Sequence, residues 1–145
     1  MASRKESVRV LGALALACTL SLTPATAEIS DAGTDNAAAE RLFTLRVFPL
    51  LQTKCFGCHG ADANDIRGGF NLLTRGGMLK GGESGEPSLV PGKPEESLLV
   101  EAINYRSLEM PPAEGGGKLP AEEISVFTRW IAMGAPDPRD RPPSA

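Results

Sequence analysis

The sequence predicts an all-α domain of about three to five helices with a long glycine-rich loop, and three observations predict it. Three segments carry apolar residues at helical spacing, two of them opened by a proline with acidic residues behind it. No segment alternates apolar and polar residues as a half-buried strand would. Between Gly60 and Gly92 lie the pairs Gly68-Gly69, Gly76-Gly77 and Gly81-Gly82, which suit the interior of neither element. With 145 residues the chain fits a single domain.

The first 27 residues read as a secretory signal. Arg4, Lys5 and Arg9 form a basic start, Val10 to Leu22 is largely apolar, and Ala25-Thr26-Ala27 has the small-x-small pattern of a cleavage site. The apolar run falls short of the roughly 20 residues that cross a bilayer. The expectation is a soluble periplasmic protein that begins at Glu28. Cys18 opens one alternative, a lipid-tethered protein, because it closes a short apolar run; Ala15 suits that signal poorly and the run continues past Cys18. An uncleaved signal would be the other membrane anchor. Without residues 1–27 the chain keeps 12 basic and 17 acidic residues, a net charge near −5. That balance argues against nucleic acid and anionic membranes as partners.

Residues 28–36 are small, polar and aperiodic, and read as a flexible leader to a domain spanning 37–136. A helix is expected from Ala37, capped by Asp35 or Asn36, with Leu42, Leu45 and Phe48 on its inner face. Pro49 should kink or restart it just before Cys55. The glycine-rich segment should wrap round something, with short helical turns at most between Leu72 and Leu79. Pro94, Glu95 and Glu96 open a helix that places Leu98, Leu99, Ala102 and Ile103 together and ends near Tyr105. Pro120, Glu122 and Glu123 open the last, with Ile124, Phe127, Trp130 and Ile131 inward and Gly134 as its stop. Residues 137–145 form a Pro-rich tail.

Cys55-Phe56-Gly57-Cys58-His59 carries the chemistry. Cys-x-x-Cys-His is the pattern of c-type haem attachment: two thiols add across the two vinyl groups of one porphyrin edge, and the next residue offers an imidazole to the iron. Other readings of the cysteine pair fit less well. A thioredoxin-like site expects a βαβ setting and a zinc site needs a second pair of ligands, while a plain Cys55–Cys58 disulfide in an oxidising compartment stays open.

His59 is the only histidine in the chain, so two-histidine ligation within it is excluded. A sixth ligand must come from methionine, another side chain or an external molecule. Met133 ends the last helix and reads as packing. Met78 sits among glycines and could reach the iron. Met110 is preferred, because Pro111 and Pro112 hold their segment extended and present one thioether at low entropic cost.

The run from Phe48-Pro49-Leu50-Leu51 through Cys58-His59-Gly60 resembles the planctomycete-type cytochrome c domain. So do Gly68-Gly69-Phe70-Asn71-Leu72, Gly81-Gly82-Glu83-Ser84-Gly85, Pro91-Gly92-Lys93-Pro94, Met110-Pro111-Pro112, Leu119 to Ile124 and Trp130 to Ala135. The resemblance implies a class I-like cytochrome c fold with thioethers at Cys55 and Cys58, His59 and Met110 as axial ligands, and a single haem c. Packing of the first helix on the last, with Trp130 and Phe127 over part of the haem, is the expected arrangement. The function expected is single-electron transfer with redox partner proteins, by a carrier rather than an enzyme. The rival is a haem enzyme or gas-binding sensor with a displaceable distal Met.

Overall fold

The computed structural model describes residues 32–60, 62 and 64–140. The signal segment, Cys18, the start of the leader and the end of the tail lie outside the described residues. Regular structure among the described residues is helical, with no strand.

Helix α1 is continuous but changes its winding along its length: Ala32–Leu42, a π-helical stretch Phe43–Val47, Phe48–Leu50, a second π-helical stretch Leu51–Cys55, and Phe56–His59. It begins at Ala32, ahead of the expected Ala37. Asp35 therefore lies inside its first turn, where its charge suits the helix dipole, instead of capping it. Asn36 donates to Glu40 one turn on, at 2.8 Å.

The break expected at Pro49 is absorbed by the wider turns. A proline inside a helix has no N–H to give, and its ring crowds the carbonyl four residues back. Here the Phe48 N–H reaches the Phe43 carbonyl and the Phe56 N–H the Leu51 carbonyl, both five residues back. Thr53 also donates its hydroxyl to the Pro49 carbonyl at 2.8 Å. Because the winding is wider, residues four apart stay in line. The buried stripe is Ala39, Phe43, Val47 and Leu51, and Leu45, expected to face inward, is 63 % exposed.

Thr74 caps the short helix α2 (Arg75–Lys80) by accepting from the Gly77 N–H at 3.0 Å. The helix expected to run from Pro94 to Tyr105 is split. Pro94–Glu96 forms a 3₁₀ turn, Ser97 leaves helical geometry, and α3 spans Leu98–Ile103. Ser97 is fully buried; its hydroxyl accepts from the Val90 N–H at 2.9 Å and donates to the Lys93 carbonyl at 2.9 Å. A side chain that satisfies loop backbone in this way competes with the helix it would otherwise join.

Helix α4 (Ala121–Ala132) buries Val126, Phe127, Trp130 and Ile131 and lies across α1, with the Phe43 and Trp130 rings 5.4 Å apart. Gly134, at φ +92°, turns the chain out of it. Arg75 of α2 donates to the carbonyls of Ala135 at 2.8 Å and Gly134 at 3.3 Å, so it ties the glycine-rich segment to the end of α4.

Ordered packing extends past Pro136. Asp137, whose carboxylate is shut off from solvent, pairs with Arg139 at 2.5 Å. The same guanidinium donates to the Leu72 carbonyl at 3.2 Å and covers the rings of Phe43 and Phe48 at 5.1 and 5.0 Å. Arg139→Ala should cost about 3–5 kcal/mol, because it strands a buried carboxylate and removes the cation–π contacts with both rings. The midpoint of denaturant unfolding of the haem-loaded protein reads this directly. An unchanged midpoint would show the tail to be loosely held.

Candidate functional site

The last turns of α1 bring Cys55, Cys58 and His59 to one side of the helix, since residues three and four apart are neighbours on a helix surface. Gly60 ends the helix: its N–H bonds the Phe56 carbonyl at 3.0 Å, and a Cβ there would press on the Phe56 ring at 3.1 Å. Both cysteines are free thiols. Burial pushes the Cys55 thiol up to about 11; Cys58 adds to the rise and Lys54 opposes it. Among the described residues no three His, Cys, Asp or Glu side chains group so as to hold a metal ion between them. The zinc reading thus gains no support from the fold.

His59 is held in a defined orientation. Its Nδ1 lies 3.0 Å from the Arg67 carbonyl, and a carbonyl can only accept, so Nδ1 carries the proton and Nε2 keeps a free lone pair. Burial pushes the imidazole below its usual value, partly offset by that hydrogen bond, which favours the neutral ring a metal requires. The Phe70 ring meets it edge-on at 5.4 Å, and the His59 carbonyl accepts from the Leu72 N–H at 3.0 Å. Arg67 itself begins a 3₁₀ turn, Arg67–Gly69, whose Gly68 adopts φ +60°.

Sequence reasoning passed over Arg67, because its contribution is a backbone carbonyl and any residue type supplies one. The surrounding glycines were the only signal. They earn their place at Gly81 and Gly82, where added Cβ atoms would collide with the carbonyls of Glu86 and Gly68. The Gly68 carbonyl in turn accepts from the Glu83 N–H at 2.8 Å, which closes this wall.

Cys55, Cys58, His59, Arg67, Gly68 and Glu83 line a cleft of about 370 Å³. Leu98, Leu99, Ala102 and Ile103 of α3 line it too, with Leu108 and Met110, and Lys54, Arg67 and Glu83 bring charge to its lining. Leu108 is 44 % exposed, an apolar side chain on an open apolar wall. The volume lies within the range of about 300–1,000 Å³ typical of organic ligand sites. Paired thiols, an imidazole nitrogen and a thioether lining one largely apolar cleft fit a haem.

The three methionines separate. Met110 lines the cleft, half-buried, with Pro111 and Pro112 beside it. Met78 is fully buried in the core and does not line the cleft, and neither does Met133. Trp130 and Phe127, expected over the haem, are fully buried between α1 and α4 and form no part of the cleft wall. Their helix spacing set them facing inward, and the inward side of α4 meets α1 first.

Residues 55–114 match the family described as Planctomycete cytochrome C. Neither the curated proteins nor the solved structures gave a match.

Proposed function

We propose that this chain, which carries a planctomycete-type cytochrome c domain over residues 55–114, is a periplasmic electron carrier with one haem c held by Cys55, Cys58, His59 and Met110. A cytochrome c domain implies haem binding and electron transfer. The observation that carries the finer reading is the cleft, with His59 and Met110 both lining it. The haem supplies one-electron iron chemistry when bound. Cys55 and Cys58 would anchor it by thioethers from the end of α1. His59, locked through Nδ1 on the Arg67 carbonyl, would present Nε2 in a fixed direction and so keep the reorganisation between redox states small. Met110 would supply a soft sulfur that favours the ferrous state, and the leucines of α3 and Leu108 would exclude water, which acts the same way. With His59 and Met110 both holding the haem, no position on its iron would be left for a substrate. Redox partner proteins would then exchange electrons at an exposed haem edge.

Export is part of the same reading, since haem ligation to Cys-x-x-Cys-His is proposed here to follow removal of residues 1–27. One intact-mass measurement tests both, on protein expressed with periplasmic haem-ligation machinery. The expected mass is that of residues 28–145 plus one haem, retained after denaturation. Visible spectra should show the sharp bands of low-spin iron when reduced. A haem-free mass with two hydrogens lost would point to a Cys55–Cys58 disulfide and overturn the proposal; a lipid-modified N-terminus at Cys18 would replace the soluble carrier with a tethered one.

A further inference from the structure

Tyr105 occupies a backbone conformation that its side chain makes costly. Helix α3 ends in a Schellman motif: the Tyr105 N–H bonds the Ala102 carbonyl at 3.0 Å, and the Arg106 N–H the Glu101 carbonyl at 3.1 Å. The residue between these bonds must turn left-handed, and Tyr105 does so at φ +61°. Glycine is the usual occupant, because a Cβ there costs about 1–2 kcal/mol. Tyrosine at this position calls for a compensating role of its side chain.

The side chain reaches forward to the segment that holds Met110. Its hydroxyl donates to the Pro111 carbonyl, and the Lys118 ammonium sits 5.7 Å from the ring centre. Desolvation, together with the carboxylates of Glu109 and Glu114, pushes the phenol above its ordinary value, so it remains a donor at neutral pH. Past Met110-Pro111, the Pro112 carbonyl accepts from the Gly115 and Gly117 N–H groups at 2.8 and 3.0 Å, which fixes the far end of the segment. Neither proline has an N–H, so the segment offers carbonyls and the single N–H of Met110. That N–H bonds the Ala102 carbonyl at 3.2 Å, the same oxygen that accepts from Tyr105. The Tyr105 backbone thus shares the anchor on one side of Met110, and its hydroxyl ties the residue on the other.

We propose that Tyr105 is a positioning residue that holds the Met110 thioether toward the cleft through its hydrogen bond to the Pro111 carbonyl. The inference rests on Met110 being the distal ligand. Without the hydroxyl, the segment keeps its prolines, its Ala102 contact and the bonds to the Pro112 carbonyl, but Met110-Pro111 between them spends more time displaced from the iron. An external ligand that needs the distal position then binds more tightly in proportion to the fraction displaced.

The test uses the haem-loaded protein with Tyr105→Phe, Tyr105→Gly and Met110→Ala, and reads carbon monoxide affinity of the reduced form beside the thermal midpoint. One hydrogen bond is worth about a three- to tenfold change in a local equilibrium. Tyr105→Phe should raise carbon monoxide affinity about three- to tenfold, and Tyr105→Gly more, at unaltered haem content. Tyr105→Gly should unfold at no lower temperature than Tyr105→Phe, because glycine relieves the left-handed backbone. The far-red band of the ferric Met-ligated protein should fade at lower temperature in both. If Met110→Ala binds carbon monoxide readily while both Tyr105 variants bind it as the unmodified protein does, the positioning role is overturned and Met110 ligation stands. If Met110→Ala leaves carbon monoxide binding unchanged, Met110 ligation itself falls, and the role of Tyr105 with it.

Discussion

Replacing Cys55 and Cys58 together by Ala should abolish covalent haem attachment while leaving much of the fold in place. The two thiols line the cleft beside His59, and each would account for one thioether. Ala at both positions keeps helix propensity at the end of α1, so the His59–Arg67 contact should survive. What is lost is the tether that makes haem binding intramolecular. Haem should leave the double variant entirely in acid–organic extraction, and each single variant should retain one link and extract only after thioether cleavage. The holoprotein should also unfold at higher temperature than the double variant, because a ligand that cannot dissociate stabilises the native state without a dilution limit. Haem that stays with the double variant through extraction would defeat the attachment reading.

The clustering of Cys55, Cys58 and His59 was legible in the sequence because its geometry is local. Five consecutive residues on a helix end fix the relation of two sulfurs and an imidazole, and no tertiary contact is needed to see it. The helices at the two ends of the domain were legible as helices from local spacing, though the cap expected at Asp35 or Asn36 was not the start of α1. Where the reading went astray, backbone detail decided. The inner face of α1 was assigned to Leu42, Leu45 and Phe48 on a 3.6-residue period, but two π-helical stretches around Pro49 put a four-residue period in register and turned Leu45 out. Ser97 sits at a helical position by pattern, yet its hydroxyl serves Val90 and Lys93 and splits the helix. The orienting partner of His59 is a carbonyl, which leaves no trace in residue type. Tyr105 drew notice as the end of a helix, where a glycine would have been the stronger signal. Only its left-handed backbone shows that the side chain is held there at a cost.

Met110 and Met78 are the two candidates that sequence left open for the distal position, and their surroundings give opposite expectations. Met110 lines the cleft, as His59 does, on a segment stiffened by two prolines. Met110→Ala should therefore open the distal site. The ferric far-red band should vanish, reduced iron should bind carbon monoxide, and the midpoint potential should fall, since a soft thioether that favours the ferrous state is gone. Haem content should persist through the thioethers and His59, and stability should change little because Met110 is only half-buried. Met78 is fully buried among the core residues of the glycine-rich segment and the helices. Met78→Ala should cost about 2–5 kcal/mol through the cavity it leaves, which could disturb the site indirectly. Met78→Leu avoids that, since it removes the sulfur at nearly constant volume for less than about 1.5 kcal/mol. The Leu variant should keep the spectrum, the potential and the resistance to carbon monoxide of the unmodified protein. The reverse pattern, with Met78→Leu losing the far-red band and Met110→Ala keeping it, would place the distal ligand on α2 and require the core to open around it.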